Sequence, residues 1–226
     1  MITPRDEDIL HFINKFGQSY SEVLAQTFFP SLSSATNRIT TLKKQGLISF
    51  WNTNLMSPRK AIVLSQDTKE YFERELEIRV KRPKINLSTV KHSILEQISY
   101  YWLQQIGDIR RTTIINDSLI LNHVPDFILK TQEKIINIEI EITKKTQKRY
   151  KEIFLKSSKD GANYLLYIFK NKEDVKRFGE YMPRSNKLML IDIDSLIENI
   201  KTTGKINPIF QDQLLFSKSN YDFRYA

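Results

Sequence analysis

At 226 residues the chain can form two domains with modest cores, and 40% hydrophobic with 27% charged residues excludes a disordered polymer. The net charge of +9 favours an anionic partner, because each phosphate neutralised by Lys or Arg releases counterions. The absence of cysteine excludes disulfides, thiolate zinc sites and a cysteine nucleophile. No apolar run reaches the roughly 18 residues needed to span a bilayer, and the start Met1 to Asp6 lacks a signal-peptide core, so the expected address is the cytoplasm, with no membrane partner.

Thr3-Pro4 reads as a helix N-cap with proline at the first helical position. Ile9, Leu10, Phe12 and Ile13 supply its apolar stripe, and Gly17 stops it. A second helix follows over about 21–28, with Val23, Leu24 and Phe28 inward and Pro30 closing it. Ser31 or Ser33 caps a third helix reaching about residue 44, with Ala35, Ile39 and Leu42 on one face and Gly46 as its stop. Two β-like runs, 47–51 and 61–64, flank a polar stretch containing Pro58, Arg59 and Lys60, and a helix over about 66–77 completes a first domain of residues 1–80. The basic, Pro83-interrupted segment over 81–88 reads as a linker. A second domain, 89–226, opens on a helix over about 89–105, in which Tyr100, Tyr101 and Trp102 are expected to be core. Strands near 112–121, 124–130 and 135–143, a basic helix near 145–158, a strand at 163–169, a helix at 172–181, a strand at 187–193, a helix at 195–203 and a short tail follow. The fold class is therefore an α+β unit followed by an α/β unit.

Three helices and then a β-hairpin is the element order of a winged helix-turn-helix, whose third helix enters the major groove. Here the polar face of that helix carries Ser34, Asn37, Arg38, Thr41 and Lys44. Asn and Arg suit base edges, whereas Ser, Thr and Lys suit phosphates. Arg59 and Lys60 stand in the wing, within reach of backbone or minor groove. Residues 33–48, ending Leu42-x-x-x-Gly46-Leu47-Ile48, resemble the recognition helix and wing entry of many bacterial winged-helix proteins. The expected partner is double-stranded DNA; the competing reading is a solvated helix face.

Residues 137–143 alternate strictly, placing Ile138, Ile140 and Ile142 on one face and Glu139 and Glu141 on the other, roughly 7 Å apart by strand rise. A turn over 131–134 joins this strand to Val124-Pro125-Asp126-Phe127-Ile128-Leu129-Lys130. If Lys130 opposes Ile135, then Asp126 opposes Glu139. Directly opposed like charges are unfavourable in a sheet, unless a cation sits among them. Mg²⁺ or Mn²⁺, held by Asp126, Glu139 and Glu141, is the expected cofactor, a hard cation able to activate water and stabilise phosphoryl charge. His92 and Glu96 lie four apart on the preceding helix and share a face. Lys144, Lys145, Lys148, Arg149 and Lys151 surround Tyr150, and read either as a DNA-backbone clamp or as a solvated face partnered by Glu152. Three scattered histidines, His11, His92 and His123, do not support a zinc site.

Pro125-Asp126 followed by Glu139-x-Glu141 on an adjacent strand resembles the PD-(D/E)xK nuclease superfamily, as does the order helix, three strands, helix, strand. The family's usual lysine stands two residues after the acidic residue, where this chain has Glu141; Lys144 or Lys145 would then supply the cation. The winged helix, His-bearing helix, Pro-Asp, Glu-x-Glu and tyrosine-containing basic helix together resemble the replication-relaxation family, which includes MobC-type plasmid relaxases. That resemblance implies a metal-dependent nicking endonuclease in plasmid or mobile-element transfer or replication, with Asp126, Glu139, Glu141, Lys144, His92 and Glu96 as the catalytic set. It also implies mobilisation or replication proteins as partners, and a homodimer. The alternative is a non-catalytic DNA-binding accessory factor or transcriptional regulator with an inactive nuclease-like domain, which the missing lysine at 141 favours. A restriction enzyme is a third reading.

Overall fold

The computed structural model describes residues 2–83, 86–113, 117–132 and 134–210. The chain is a mixed α+β protein that divides into two compact units, Met1–Ile98 and Ser99–Ala226. The division falls inside a helix rather than in the expected linker.

The first unit opens with α1 (Pro4–Phe16), α2 (Ser21–Phe28) and α3 (Leu32–Lys44), followed by the antiparallel pair β1 (Ile48–Asn52) and β2 (Lys60–Leu64) and then α4 (Gln66–Arg74). Local chemistry sets the first boundary: Thr3 and Asp6 form a reciprocal capping box, with Pro4 pre-set for the first turn. Ser31 and Ser65 cap α3 and α4 one way only, their side-chain oxygens accepting from Ser34 N and Thr68 N. Ile9, Ile13, Tyr20, Leu24, Leu42 and Ile62 form the fully buried centre. Ser19 and Ile62 exchange two backbone hydrogen bonds of 2.8 Å, tying the α1–α2 connection to the hairpin.

Residues 79–82 close back on this unit. Asn14 Nδ2 donates to the Arg79 carbonyl at 3.2 Å, and Asn14 Oδ1 accepts from Lys81 N at 3.0 Å. Gly17 stands at φ +79°, and a Cβ there would lie 2.7 Å from the Arg82 carbonyl oxygen. Only glycine satisfies both the left-handed backbone and that close approach.

A short 3₁₀ turn, Leu87–Thr89, leads into α5 (Val90–Leu103). The second unit then builds β3 (Asp108–Arg111), β4 (Phe127–Lys130), β5 (Ile135–Glu141), α6 (Gln147–Lys159), β6 (Tyr164–Phe169), α7 (Lys172–Gly179), β7 (Leu188–Asp192), α8 (Ile193–Thr203) and β8 (Ile209–Phe210). Strands β3 to β8 form one sheet in sequence order. The β3–β4, β4–β5 and β7–β8 pairs are antiparallel, while β5–β6 and β6–β7 are parallel. Lys130 pairs with Ile135 and Phe127 with Ile138, the register that the hairpin implied.

Two expectations are corrected. The first strand stands at Asp108–Arg111, because the ladder with β4 pairs Asp108 with Lys130 and runs out at Arg111–Phe127; of the expected 112–121, residues 112–113 and 117–121 are not strand and 114–116 lie outside the described residues. The tail contributes a described strand, β8, against β7. On one sheet face Tyr150 and Ile153 of α6 and Val175 and Phe178 of α7 pack with Tyr167 and Phe169. On the other, Tyr100 meets Phe127 at 5.8 Å between ring centroids, and Lys201 Nζ stands 4.9 Å over Trp102. Tyr100 and Trp102 are buried, as their sequence positions suggested, and Tyr101 is half-buried. With helices on both faces, β5 is buried from Ile136 to Glu141.

Candidate functional site

Two surfaces hold the residues that chemistry singles out. In the first unit, α3 turns Ala35, Ile39 and Leu42 into the core and leaves Asn37 and Lys44 exposed, with Ser34, Arg38 and Thr41 half-buried on the flank. Beside it, the hairpin exposes Arg59 and Lys60. Lys43 and Lys60 converge on one ring, their Nζ atoms 4.8 and 5.4 Å from the Phe50 centroid, so two cations from helix and hairpin share one aromatic platform. Trp51 is also exposed there.

Three side chains of α3 do something other than the sequence suggested. Arg38, expected at a base edge, grips Asp6 instead, with Nε 2.7 Å from Oδ1 and Nη2 on Oδ2. Asp6 is fully buried, and this fork joins α3 to α1. Burial pushes the Asp6 carboxyl upward, but hydrogen bonds from Arg38 and Thr3 outweigh it and hold the group down at about 2. Thr41 and Ser34, expected to donate to phosphates, give their hydroxyl protons to the carbonyls of Asn37 (3.0 Å) and Ser31 (2.9 Å).

In the second unit, Glu139 and Glu141 share one face of β5, and Asp126 lies next to Glu139. Asp126 immediately precedes β4: its N–H donates to the Ile138 carbonyl at 3.0 Å and its carbonyl accepts from Thr112 N at 3.2 Å. The paired ladder ends at Phe127–Ile138, so Asp126 and Phe127 share Ile138, and the Asp126 charge acts on Glu139. Its Oδ2 accepts from Ile140 N at 2.7 Å, so part of the carboxylate is spent on the strand backbone. Glu139 Oε1 stands 2.7 Å from His123 Nε2. The loop carrying His123 is strapped to the end of α6, where Asp160 accepts from His123 N, Asn122 N and Asn122 Nδ2 at 3.0, 2.8 and 2.6 Å. Glu141 is ion-paired to Lys145 and accepts from Thr143 N at 3.3 Å. Burial pushes the Glu139 and Glu141 carboxyls upward; the Asp126 charge adds to this at Glu139, while His123 and Lys145 pull the other way.

Sequence reasoning left His123 outside the site; only the fold brings its loop over Glu139. The lysine is also reassigned. Lys144 Nζ lies 3.9 Å from the Tyr181 ring centroid, whereas Lys145 reaches the acidic face. Tyr150 is 1% exposed, accepts from Lys145 N at 3.1 Å, and burial raises its phenol above the usual tyrosine range. It is a core residue, out of reach of a phosphodiester. Lys148, Arg149 and Lys151 are exposed along α6, and Arg149 Nη1 lies 3.4 Å from Glu152 Oε2. His92 and Glu96 lie one turn apart on α5, the first half-buried and the second buried.

The donor set does not fit a divalent ion as arranged. Asp126 is engaged by a backbone N–H, Glu139 by an imidazole and Glu141 by an ammonium. Among the described residues no group of three or more His, Cys, Asp or Glu side chains is gathered to hold a metal ion. No family model, no curated protein and no solved structure matches this chain. Among the described residues no helix is long and apolar enough to cross a membrane.

Proposed function

We propose that this chain is a site-specific duplex-DNA-binding protein whose first unit acts as a winged helix-turn-helix and whose second unit is a PD-(D/E)xK-like scaffold used without nuclease chemistry. The observation that carries the reading is the exposed face of α3, with Asn37 and Lys44, beside a hairpin that exposes Arg59 and Lys60. A helix of 13 residues fits the major groove, Asn37 has the amide geometry for an adenine edge, and the wing cations meet phosphate or minor groove. The second unit supports an accessory or regulatory role because Glu139 and Glu141 are engaged internally by His123 and Lys145. Transfer or replication of a mobile element, with mobilisation or replication proteins as partners and a homodimer as the working form, is the setting that the family resemblance suggests.

The test is fluorescence anisotropy with the full chain on duplexes enriched from a random pool. Asn37→Ala is expected to cost roughly 10-fold or more on the enriched site and little on random duplex, consistent with about 1–3 kcal/mol for one bidentate base contact. Arg59→Ala is expected to weaken both. Binding that all these variants leave unchanged would remove the first unit from DNA recognition.

One observation favours a second reading, a metal-dependent nicking endonuclease. The Asp126 charge acts on Glu139, two residues from Glu141 on the same strand, and like charges brought together cost free energy. On that reading Glu139 and Glu141 exchange His123 and Lys145 for Mg²⁺ or Mn²⁺. Supercoiled plasmid carrying the cognate origin separates the two: nicking by wild type under Mn²⁺ that Glu139→Ala abolishes establishes the enzyme, and identical behaviour of the two proteins dismisses it.

A further inference from the structure

The flank of α3 that faces the start of α1 is hollowed. Arg5, Phe29, Asn37 and Arg38 are among the residues lining a depression of about 710 Å³. Arg5 is exposed, with its guanidinium carbon 5.4 Å from the Phe29 ring centroid, so the turn after α2 holds the cation by its aromatic face. Arg38 enters from the other side, fixed in the Asp6 fork. Asp6 is itself anchored by Thr3, whose N–H and hydroxyl donate to Oδ2 at 2.7 and 2.6 Å. Because Ser34 and Thr41 spend their protons on helix carbonyls, the donors offered to this hollow are chiefly the two guanidiniums and the Asn37 amide.

We propose that this depression seats one backbone phosphate of bound DNA, gripped by Arg5 and Arg38, with Asp6 as the positioning residue that fixes Arg38. The claim rests on α3 being the major-groove helix. The Arg5 fork matches the geometry of a phosphate, Arg38, whose fork is on Asp6, adds its charge, and a phosphodiester chain borders any helix lying in that groove. Asp6 also lines the depression but is 0% exposed, held behind the Arg38 guanidinium that it fixes. The site adds affinity without reading sequence, whereas Asn37 at its rim reads a base.

The experiment measures anisotropy of the full chain on an enriched and a random duplex between about 50 and 200 mM salt, where each phosphate contact contributes close to one unit to the slope of log K against log salt. Arg5→Gln, on an exposed side chain, is expected to lower the slope by about one unit and to weaken both duplexes alike. Arg38→Lys keeps the charge but loses the fork, and is expected to weaken both duplexes. Asp6→Asn is expected to match Arg38→Lys on both duplexes, with thermal unfolding run in parallel to confirm a folded chain. An unchanged slope and affinity in Arg5→Gln, with Asn37→Ala still impaired, overturns the phosphate seat and leaves the winged-helix reading standing. An Asp6→Asn protein that is folded and binds like wild type overturns the positioning role. Wild type that binds no duplex at all overturns both the seat and the reading beneath it.

Discussion

Replacing Asp6 by Asn removes the acceptor of the fork that joins α1 to α3 while keeping the side-chain volume. The magnitude follows from titration. A carboxyl that ionises at about 2 in the folded chain and near 3.8 when free stabilises the fold at neutral pH by about 2 kcal/mol, since one pKa unit is worth about 1.36 kcal/mol. The folded pKa is the lower one, so this stability is present above pH 3.8 and lost as pH falls toward 2. By linkage, roughly half remains near pH 3. Urea unfolding followed by circular dichroism, with wild type and Asp6→Asn compared at a series of pH values, is the assay. The expected result is a gap of about 2 kcal/mol at pH 6 that narrows steadily below pH 4, as only wild type carries the titrating group. A gap of a few tenths at pH 6, or one that stays constant down to pH 3, would refute the claim that the ionised fork holds the two helices together.

Lys145→Met leaves Glu141 buried without its cation. A fully buried pair loses about 3–5 kcal/mol on such truncation, and because Lys145 is 31% exposed the expected loss is smaller, about 2 kcal/mol, partly restored by adding Glu141→Gln; chemical denaturation of the single and double variants checks it. Asn137→Ala removes the 2.8 Å hydrogen bond to Ser157 that pins α6 to β5, and is expected to cost about 1–2 kcal/mol by the same measurement. Thermal unfolding in Mn²⁺ is expected to match that in chelator. An ion bound at a hundred times its Kd would add about 2.7 kcal/mol, so a rise of several degrees would instead support the nuclease reading.

The first unit was legible because its signals are local. Thr3-Pro4, Ser31, Gly17 and Gly46 each fix a boundary through the chemistry of one or two residues. The β4–β5 register was legible for the same reason, since the short turn between Lys130 and Ile135 leaves little freedom. What escaped depends on long-range assembly. The alternation in β5 reports which residues share a face, but not that both faces are covered, nor that His123 and Lys145 meet Glu139 and Glu141 there. The apolar residues after Arg111 drew the first strand too far along, although pairing with β4 fixes β3 at Asp108–Arg111. Nothing local distinguishes Lys144, over Tyr181, from Lys145, on Glu141; the path of the chain into α6 decides it.

Two buried glutamates in a central strand also bear on how the chain finds its alignment. A strand of isoleucines alone would tolerate a shift by one position, since either face would still be oily. In β5 such a slip would drive both carboxylates into the aromatic layer around Tyr100 and Phe127, on the side away from His123 and Lys145. The acids thus act as a check on threading during assembly, raising the free energy of the off-by-one product far more than they raise that of the correct one.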